Sequence, residues 1–188
     1  QSLMFGMCGV STTAGVNKTD LWLNQIAADE FATQLTADVS TPTTVVPFPV
    51  LSTGKKTAEE IMKERFPLGI SSWSITAADV FANPSNYFIV NYWPMAEYIN
   101  PGHIPGAFCF EPKASLGKDQ MLKYLPTDKT IVIYCYTGQT SAQIACYLQM
   151  LGYNAKSLMF GQNGFGYTTL TKSKYTVPTT DYSAIIVK

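Results

Sequence analysis

The chain has 188 residues, 46% of them hydrophobic and 14% charged, which is enough length and apolar content to bury a real core in one domain with an extension or in two small ones. Thirteen acidic and thirteen basic side chains balance, and no stretch concentrates Lys or Arg, so the electrostatic footprint of a nucleic-acid binder is missing. No apolar run approaches the ~18 to 20 residues that span a bilayer, so a soluble globular protein without a transmembrane segment is expected.

The charge content lies below the usual ~25%, and Thr, Ser, Asn and Tyr are plentiful, which leans towards an exported, extracytoplasmic protein, periplasmic, secreted or in the cell envelope. Gln1 is not an initiator methionine, which fits a mature or trimmed form. Cys8 follows Met7, a larger residue than normally precedes a lipidated cysteine. The four cysteines, Cys8, Cys109, Cys135 and Cys146, lack CxxC spacing, and His103 is the only histidine. A zinc or haem site would therefore have too few soft ligands, and a structural metal is not expected.

In chain order, "NKTDLWLNQIAADEFATQL" spaces Leu21, Trp22, Ile26, Ala27 and Phe31 as an amphipathic helix does. "STPTTVVPFPVLSTGKK", residues 40–56, carries three prolines among β-branched residues and reads as an extended linker or edge segment. Thr57 followed by Glu60 is a capping-box signal for a short helix through "AEEIMKERF". Short apolar runs then alternate with helical stretches: "TAADVFAN", "YFIVNYW", "GAFCF", "DQMLKYL", "TIVIYC", "TSAQIACYLQML" and "AKSLMF". That alternation predicts a three-layer α/β domain with a mostly parallel sheet. "TIVIY" lacks polar alternation, as a strand buried on both faces should. In the helix after it, Ile144, Ala145, Leu148 and Leu151 share a face and Gly152 closes the element. Three parts are expected: an N-terminal helical and extended extension (1–66), the α/β domain (67–170), and a C-terminal tail (171–188) packing on it as a polar wrap that ends in a short strand.

Cys135 thus sits at the carboxyl end of a central strand, where open α/β sheets bind ligands. The loop that follows, Tyr136, Thr137, Gly138, Gln139, Thr140 and Ser141, is small and polar and enters a helix amino terminus. Such a loop turns backbone N–H groups inward, and the helix dipole adds partial positive charge. For a thiol these surroundings favour the thiolate, the reactive form. The dipole contributes typically ~0.3 to 1 kcal/mol and at best ~2, so converging N–H groups must supply the rest.

The loop "YCYTGQTS", the stretch "YFIVNYWPMAEYINPGHIPGA" and the segment "LGYNAKSLMFGQNGF" together resemble the rhodanese family, in its order and spacing, from about residue 69 to 166. The resemblance implies a sulfurtransferase in which Cys135 accepts a sulfane sulfur from a small sulfur-containing donor, carries it as a persulfide, and passes it to a thiol acceptor, which could be a protein thiol. It implies no cofactor or metal, and it places residues 136–141 around the bound anion.

Two departures narrow that expectation. The arginine that ends the loop in many family members falls here on Thr140, and the Asp-x-Arg that commonly ends the earlier strand appears as Asn91, Tyr92 and Trp93. A hydroxyl cannot offer the charged fork that arginine gives to thiosulfate or phosphate, so donor preference moves away from small dianions. Trp93, Tyr136 and Phe160 are expected to form an aromatic rim suited to a polysulfide, an organic persulfide or a protein thiol. Cys-x5-Arg phosphatase chemistry is disfavoured, because Arg65 is the only arginine and lies far away in sequence. The alternative from another class is a binding module on the same fold, recognising a chalcogen compound or a partner protein.

Among other residues, His103 in "GHIPGA" is expected to bond to backbone in a tight turn, Cys146 is read as a buried free thiol, and Cys109 is read as one in preference to a resolving disulfide partner of Cys135. Glu97, placed after Trp93, offers either a contact that orients a loop or, as the preferred reading, a solvated surface carboxylate. "GQNGFGY" lacks the Gly-Lys-Ser/Thr ending of a phosphate loop and is expected to shape the pocket rim, with Phe165 packing where the resemblance implies an aromatic residue.

Overall fold

Four of the apolar runs become parallel strands and Ser74–Ile75, ahead of the first quoted stretch, adds a fifth: β1 (Ser74–Ile75), β2 (Tyr87–Asn91), β3 (Phe108–Cys109), β4 (Thr130–Tyr134) and β5 (Ala155–Leu158), in the order β1-β5-β4-β2-β3. The structure is a computed structural model and describes residues 25–49, 57–65, 72–177 and 179. β4 lies in the centre, paired along its length with β2 and with β5. Side-chain alternation divides its residues between two cores. Ile131 and Ile133 face Ile144, Ala145 and Leu148 of helix α4 (Gln139–Met150) on one side. Val132 and Tyr134 face Val80, Ile104 and Phe165 on the other. All four side chains are buried, and each such burial contributes about 1.5–3 kcal/mol, so the strand bearing the site is also the best-anchored element. The fold is the expected three-layer α/β arrangement, with every strand pairing parallel.

The caps explain the flanking helices. In α1 (Ala58–Arg65) the Thr57 N–H donates to the Glu60 carboxylate at 2.6 Å, and the Glu60 N–H donates to the Thr57 hydroxyl at 3.3 Å, a completed capping box. Arg65 then donates to Gln149 of α4 at 3.3 Å. Helix α2 (Ala77–Ala82) begins on Thr76, whose hydroxyl accepts from the Asp79 N–H. α3 (Met95–Ile99) is a short helix behind Pro94. Residues 40–49 run extended without regular structure, tied by the Val46 N–H to the Lys123 carbonyl at 2.8 Å.

The helix expected around "NQIAADEFATQL" differs. Ala27 takes a left-handed φ of 60°, and only a 3-10 turn, Ala32–Gln34, forms. Tertiary bonds displace the local preference: the Ala28 N–H donates to the Asn163 carbonyl and the Phe31 N–H to the Phe165 carbonyl, each at 3.0 Å. The beginning of that segment, with Leu21 and Trp22, lies outside the described residues, as do residues 50–56. "DQMLKYL" is likewise a 3-10 turn, Met121–Tyr124, instead of a longer helix. Residues 171–177 form no strand but pack on the domain, and the last part of the tail lies outside the described residues.

Candidate active site

Cys135 directly follows β4, and Gly138 turns the chain into α4 with a left-handed φ of 81°. The thiol is buried, with only 3% of the residue exposed. Its Sγ lies 3.7 Å from the Ser141 hydroxyl, which in turn reaches the Gly138 carbonyl at 3.0 Å and the Ser157 hydroxyl at 2.8 Å. With its single proton on the Gly138 carbonyl, Ser141 can accept from both the thiol and Ser157; rotated, it can donate to a thiolate. Among the described residues, none accepts a hydrogen bond from the backbone N–H of Tyr136, Thr137, Gly138, Thr140 or Ser141. Those donors belong to the loop that leads from Cys135 into the α4 amino terminus, and the Cys135 sulfur carries negative charge in its reactive state.

The inner wall of the loop is backbone against backbone. The Gln162 N–H donates to the Cys135 carbonyl at 3.0 Å and the Asn163 N–H to the Tyr136 carbonyl at 3.2 Å. Gly161 allows that approach: at its φ of 55°, a Cβ would fall inside the Cys135 carbonyl oxygen and 2.7 Å from the Gly138 nitrogen. Asn163, completely buried, is the junction. Its Nδ2 donates to the Tyr136 carbonyl at 2.6 Å and to the Ser173 carbonyl at 2.9 Å, while its Oδ1 accepts from the Tyr175 N–H at 2.7 Å. One side chain thus ties the cysteine loop to the tail.

The outer wall is made of side chains. Trp93 is buried and stacks on Tyr136, with ring centroids 4.5 Å apart and planes 13° apart; together with Leu170 they pack around Cys135. The Trp93 indole N–H has no acceptor among the described residues. The Tyr136 hydroxyl donates to the Glu97 carboxylate, which also accepts from Lys172 at 2.6 Å. Lys172 Nζ stands 5.2 Å from the centre of the Tyr136 ring. Burial pushes the Tyr136 phenol well above its ordinary range, reinforced by the neighbouring carboxylate. Burial also pushes the Glu97 carboxyl up, but its bonds from Lys172 and Tyr136 outweigh that and hold it below its ordinary value.

Glu97 is therefore a partner of the loop and not a solvated carboxylate; the sequence signal available was its place one helical turn after Trp93, on the element leaving β2. Of the expected aromatic rim, Trp93 and Tyr136 come together, but Phe160 packs with Ile26, Tyr167 and Tyr175. Leu170 stands beside Cys135 instead. Phe165 packs in the core, fully buried against Tyr134 and Phe81. Thr137, Gly138 and Gln139 are half-buried in the loop, and the Gln139 N–H donates to the Thr137 hydroxyl at 3.3 Å. Thr140 is exposed. Asn163 was missed because an asparagine between two glycines reads locally as a turn residue.

The remaining candidates have structural roles. His103 Nδ1 lies 2.8 Å from the Tyr98 carbonyl, its ring stacks on Tyr98 at 3.5 Å, and burial pushes its pKa down. Cys109 is a buried free thiol pointing at the Trp93 carbonyl, and burial pushes it up to about 11. Cys146 is free and half-buried. Among the described residues no cluster of His, Cys, Asp or Glu could hold a metal ion, and no helix is long and apolar enough to cross a membrane. A groove of ≈ 930 Å³, lined by Thr41, Pro84, Tyr87 and Lys129 among others, opens at the amino ends of β2 and β4, away from Cys135.

Residues 82–166 match the family model described as "Rhodanese-like domain". Among solved structures, the chain is similar to a rhodanese-related protein from Thermoplasma volcanium, at 29% identity over 47% of this chain and 85% of that one, with a TM-score of 0.42. A protein from Staphylococcus saprophyticus matches at 29% identity over 50% and 93%, with a TM-score of 0.44. A third, from Rhodopseudomonas palustris, described as a protein of unknown function and possible tyrosine phosphatase, matches at 22% identity over 65% and 91%, with a TM-score of 0.40. No curated protein matches the sequence.

Proposed function

Residues 82–166 form a rhodanese-like domain, and on that premise we propose that the protein is a sulfurtransferase that carries sulfane sulfur on Cys135. The observation that supports this most is the thiol itself, held at the carboxyl end of β4 beside Ser141 and a set of backbone N–H groups that no described residue uses. The Cys135 thiolate attacks the outer sulfur of a donor. A new S–S bond forms, the donor's own bond to that sulfur breaks, and its remainder leaves with the electron pair, as sulfite when the donor is thiosulfate. The persulfide anion that results is held by the same N–H groups. An acceptor thiolate then attacks the terminal sulfur, breaks the bond to Cys135 and restores the thiolate. No outside oxidant or reductant enters.

Neither Thr140 nor any other loop residue carries a positive charge, so tight clamping of a phosphate or a small dianion is disfavoured. The apolar surroundings, Trp93, Tyr136 and Leu170, suit a polysulfide, an organic persulfide or a protein thiol. The low charge content and the plentiful Thr, Ser, Asn and Tyr support a place for this activity outside the cytoplasm.

The test is intact mass after incubating reduced protein with thiosulfate or polysulfide. One added sulfur, absent in Cys135→Ser and removed by a thiol acceptor, is the expected result. No adduct with either donor would overturn the carrier reading. It would leave a binding module, a second reading that the burial of Cys135 favours, since a cysteine only 3% exposed is better placed to be sheltered than to be exchanged.

A further inference from the structure

The cation that reaches the cysteine loop comes from outside it. No arginine or lysine lies between Cys135 and Lys156, but Lys172 in the tail stands over the Tyr136 ring, and Tyr136 stacks on Trp93 beside the thiol. Lys172 is not free to act there. Its ammonium is paired at 2.6 Å with Glu97, whose second oxygen accepts from the Tyr136 hydroxyl. The pair is unequal in exposure: the Lys172 side chain is 54% exposed and that of Glu97 24%. The carboxylate is the fixed member, held by α3 and by Tyr136, and the lysine is the movable one.

We propose that Glu97 is a specificity-determining residue of this site, which cancels the positive charge of Lys172 at the mouth over Cys135 and so turns away anionic sulfur donors. This rests on the sulfur-carrier reading for its biological meaning, though not for its electrostatics. Tyr136 carries the effect, since it touches both charges through one hydroxyl and one ring face. With Glu97 neutral, Lys172 keeps its contact with the Tyr136 ring and becomes an unmasked cation beside a loop that carries none of its own. An anionic donor such as thiosulfate would then be drawn to a site that otherwise offers it only backbone dipoles.

The experiment compares iodoacetate with iodoacetamide, reagents of nearly the same size and mechanism that differ by one negative charge. With each, the Cys135 thiolate attacks the reagent's CH2 carbon, a C–S bond forms and iodide leaves. The ratio of their rates at Cys135, read by peptide mass spectrometry at low salt, cancels changes in exposure and in thiolate content. In Glu97→Gln the ratio is expected to rise about threefold or more, and to fall back as salt is added. Lys172→Met is expected to lower it below that of the unaltered protein, and Glu97→Gln with Lys172→Met to abolish the gain. Lys172→Arg should keep the unaltered ratio. Thiosulfate loading should follow the same order.

Faster reaction of Glu97→Gln with both reagents alike would show that the pair only holds the tail down, and would overturn the proposal. So would a gain that survives the loss of Lys172. If the ratio responds as expected while neither thiosulfate nor polysulfide loads any variant, the electrostatic assignment stands and the sulfur-carrier reading falls.

Discussion

The two walls of the cysteine loop are built from different materials. The inner wall, residues 161–163, meets Cys135 and Tyr136 through backbone hydrogen bonds and a glycine contact, in a region sealed from solvent. The outer wall, Trp93, Tyr136, Glu97, Leu170 and Lys172, meets them through rings and charges and ends in a lysine more than half exposed. Backbone contacts have little freedom to rearrange, whereas an exposed ion pair is screened and exchanges with water. The inner wall should therefore govern whether the loop exists, and the outer wall what the thiol reacts with.

The strongest challenge to that division is Gly161→Ala. The added methyl meets the Cys135 carbonyl and the Gly138 nitrogen at a left-handed φ, so a loss of about 3 kcal/mol or more is expected in urea unfolding. A loss below about 1 kcal/mol would mean that the inner wall yields. Next comes Asn163→Ala, which removes three buried hydrogen bonds and leaves the Tyr136 and Ser173 carbonyls without that donor. About 2–3 kcal/mol should be lost, with faster alkylation of Cys135 as the tail loosens. Ser141→Ala deletes the hydroxyl that faces the thiol and should cost about 1 kcal/mol while slowing sulfur loading more than it weakens the fold.

The smallest effects belong to the outer charges. Lys172→Met should change stability by no more than about 0.5 kcal/mol because the pair is exposed and screened. If it cost as much as Asn163→Ala, the contrast between the walls would collapse. The same pair sets a pH dependence. Glu97 titrates below its ordinary value in the folded protein, so its contribution is present above the unfolded carboxyl pKa and is lost as pH falls through the folded one. Acidification below the ordinary carboxylate range should free Lys172 and Tyr136, seen as a change in tyrosine fluorescence that Glu97→Gln lacks at all pH values.

Much of the inner architecture was legible along the chain. "TIVIY" announces a strand buried on both faces, Thr57 with Glu60 announces α1, and the cysteine loop stands between a strand and an amphipathic helix. Each of these is a local pattern whose physical cause lies within a few residues. The misreadings share the opposite property. The segment from Ile26 to Phe31 gives up helix because Asn163 and Phe165 offer its N–H groups better-placed acceptors. Phe160 turns away from the rim, and Glu97 finds a lysine 75 residues later.

The sequence by itself determined that a central buried strand delivers Cys135 to a helix amino terminus, because periodicity and loop chemistry are short-range, and that the loop carries no cation of its own. Only the tertiary structure decided what closes over the thiol. Leu170, Lys172 and the Asn163 junction reach it from far along the chain, and side-chain packing and charge pairing across such separations leave no periodic trace in the residues that make them.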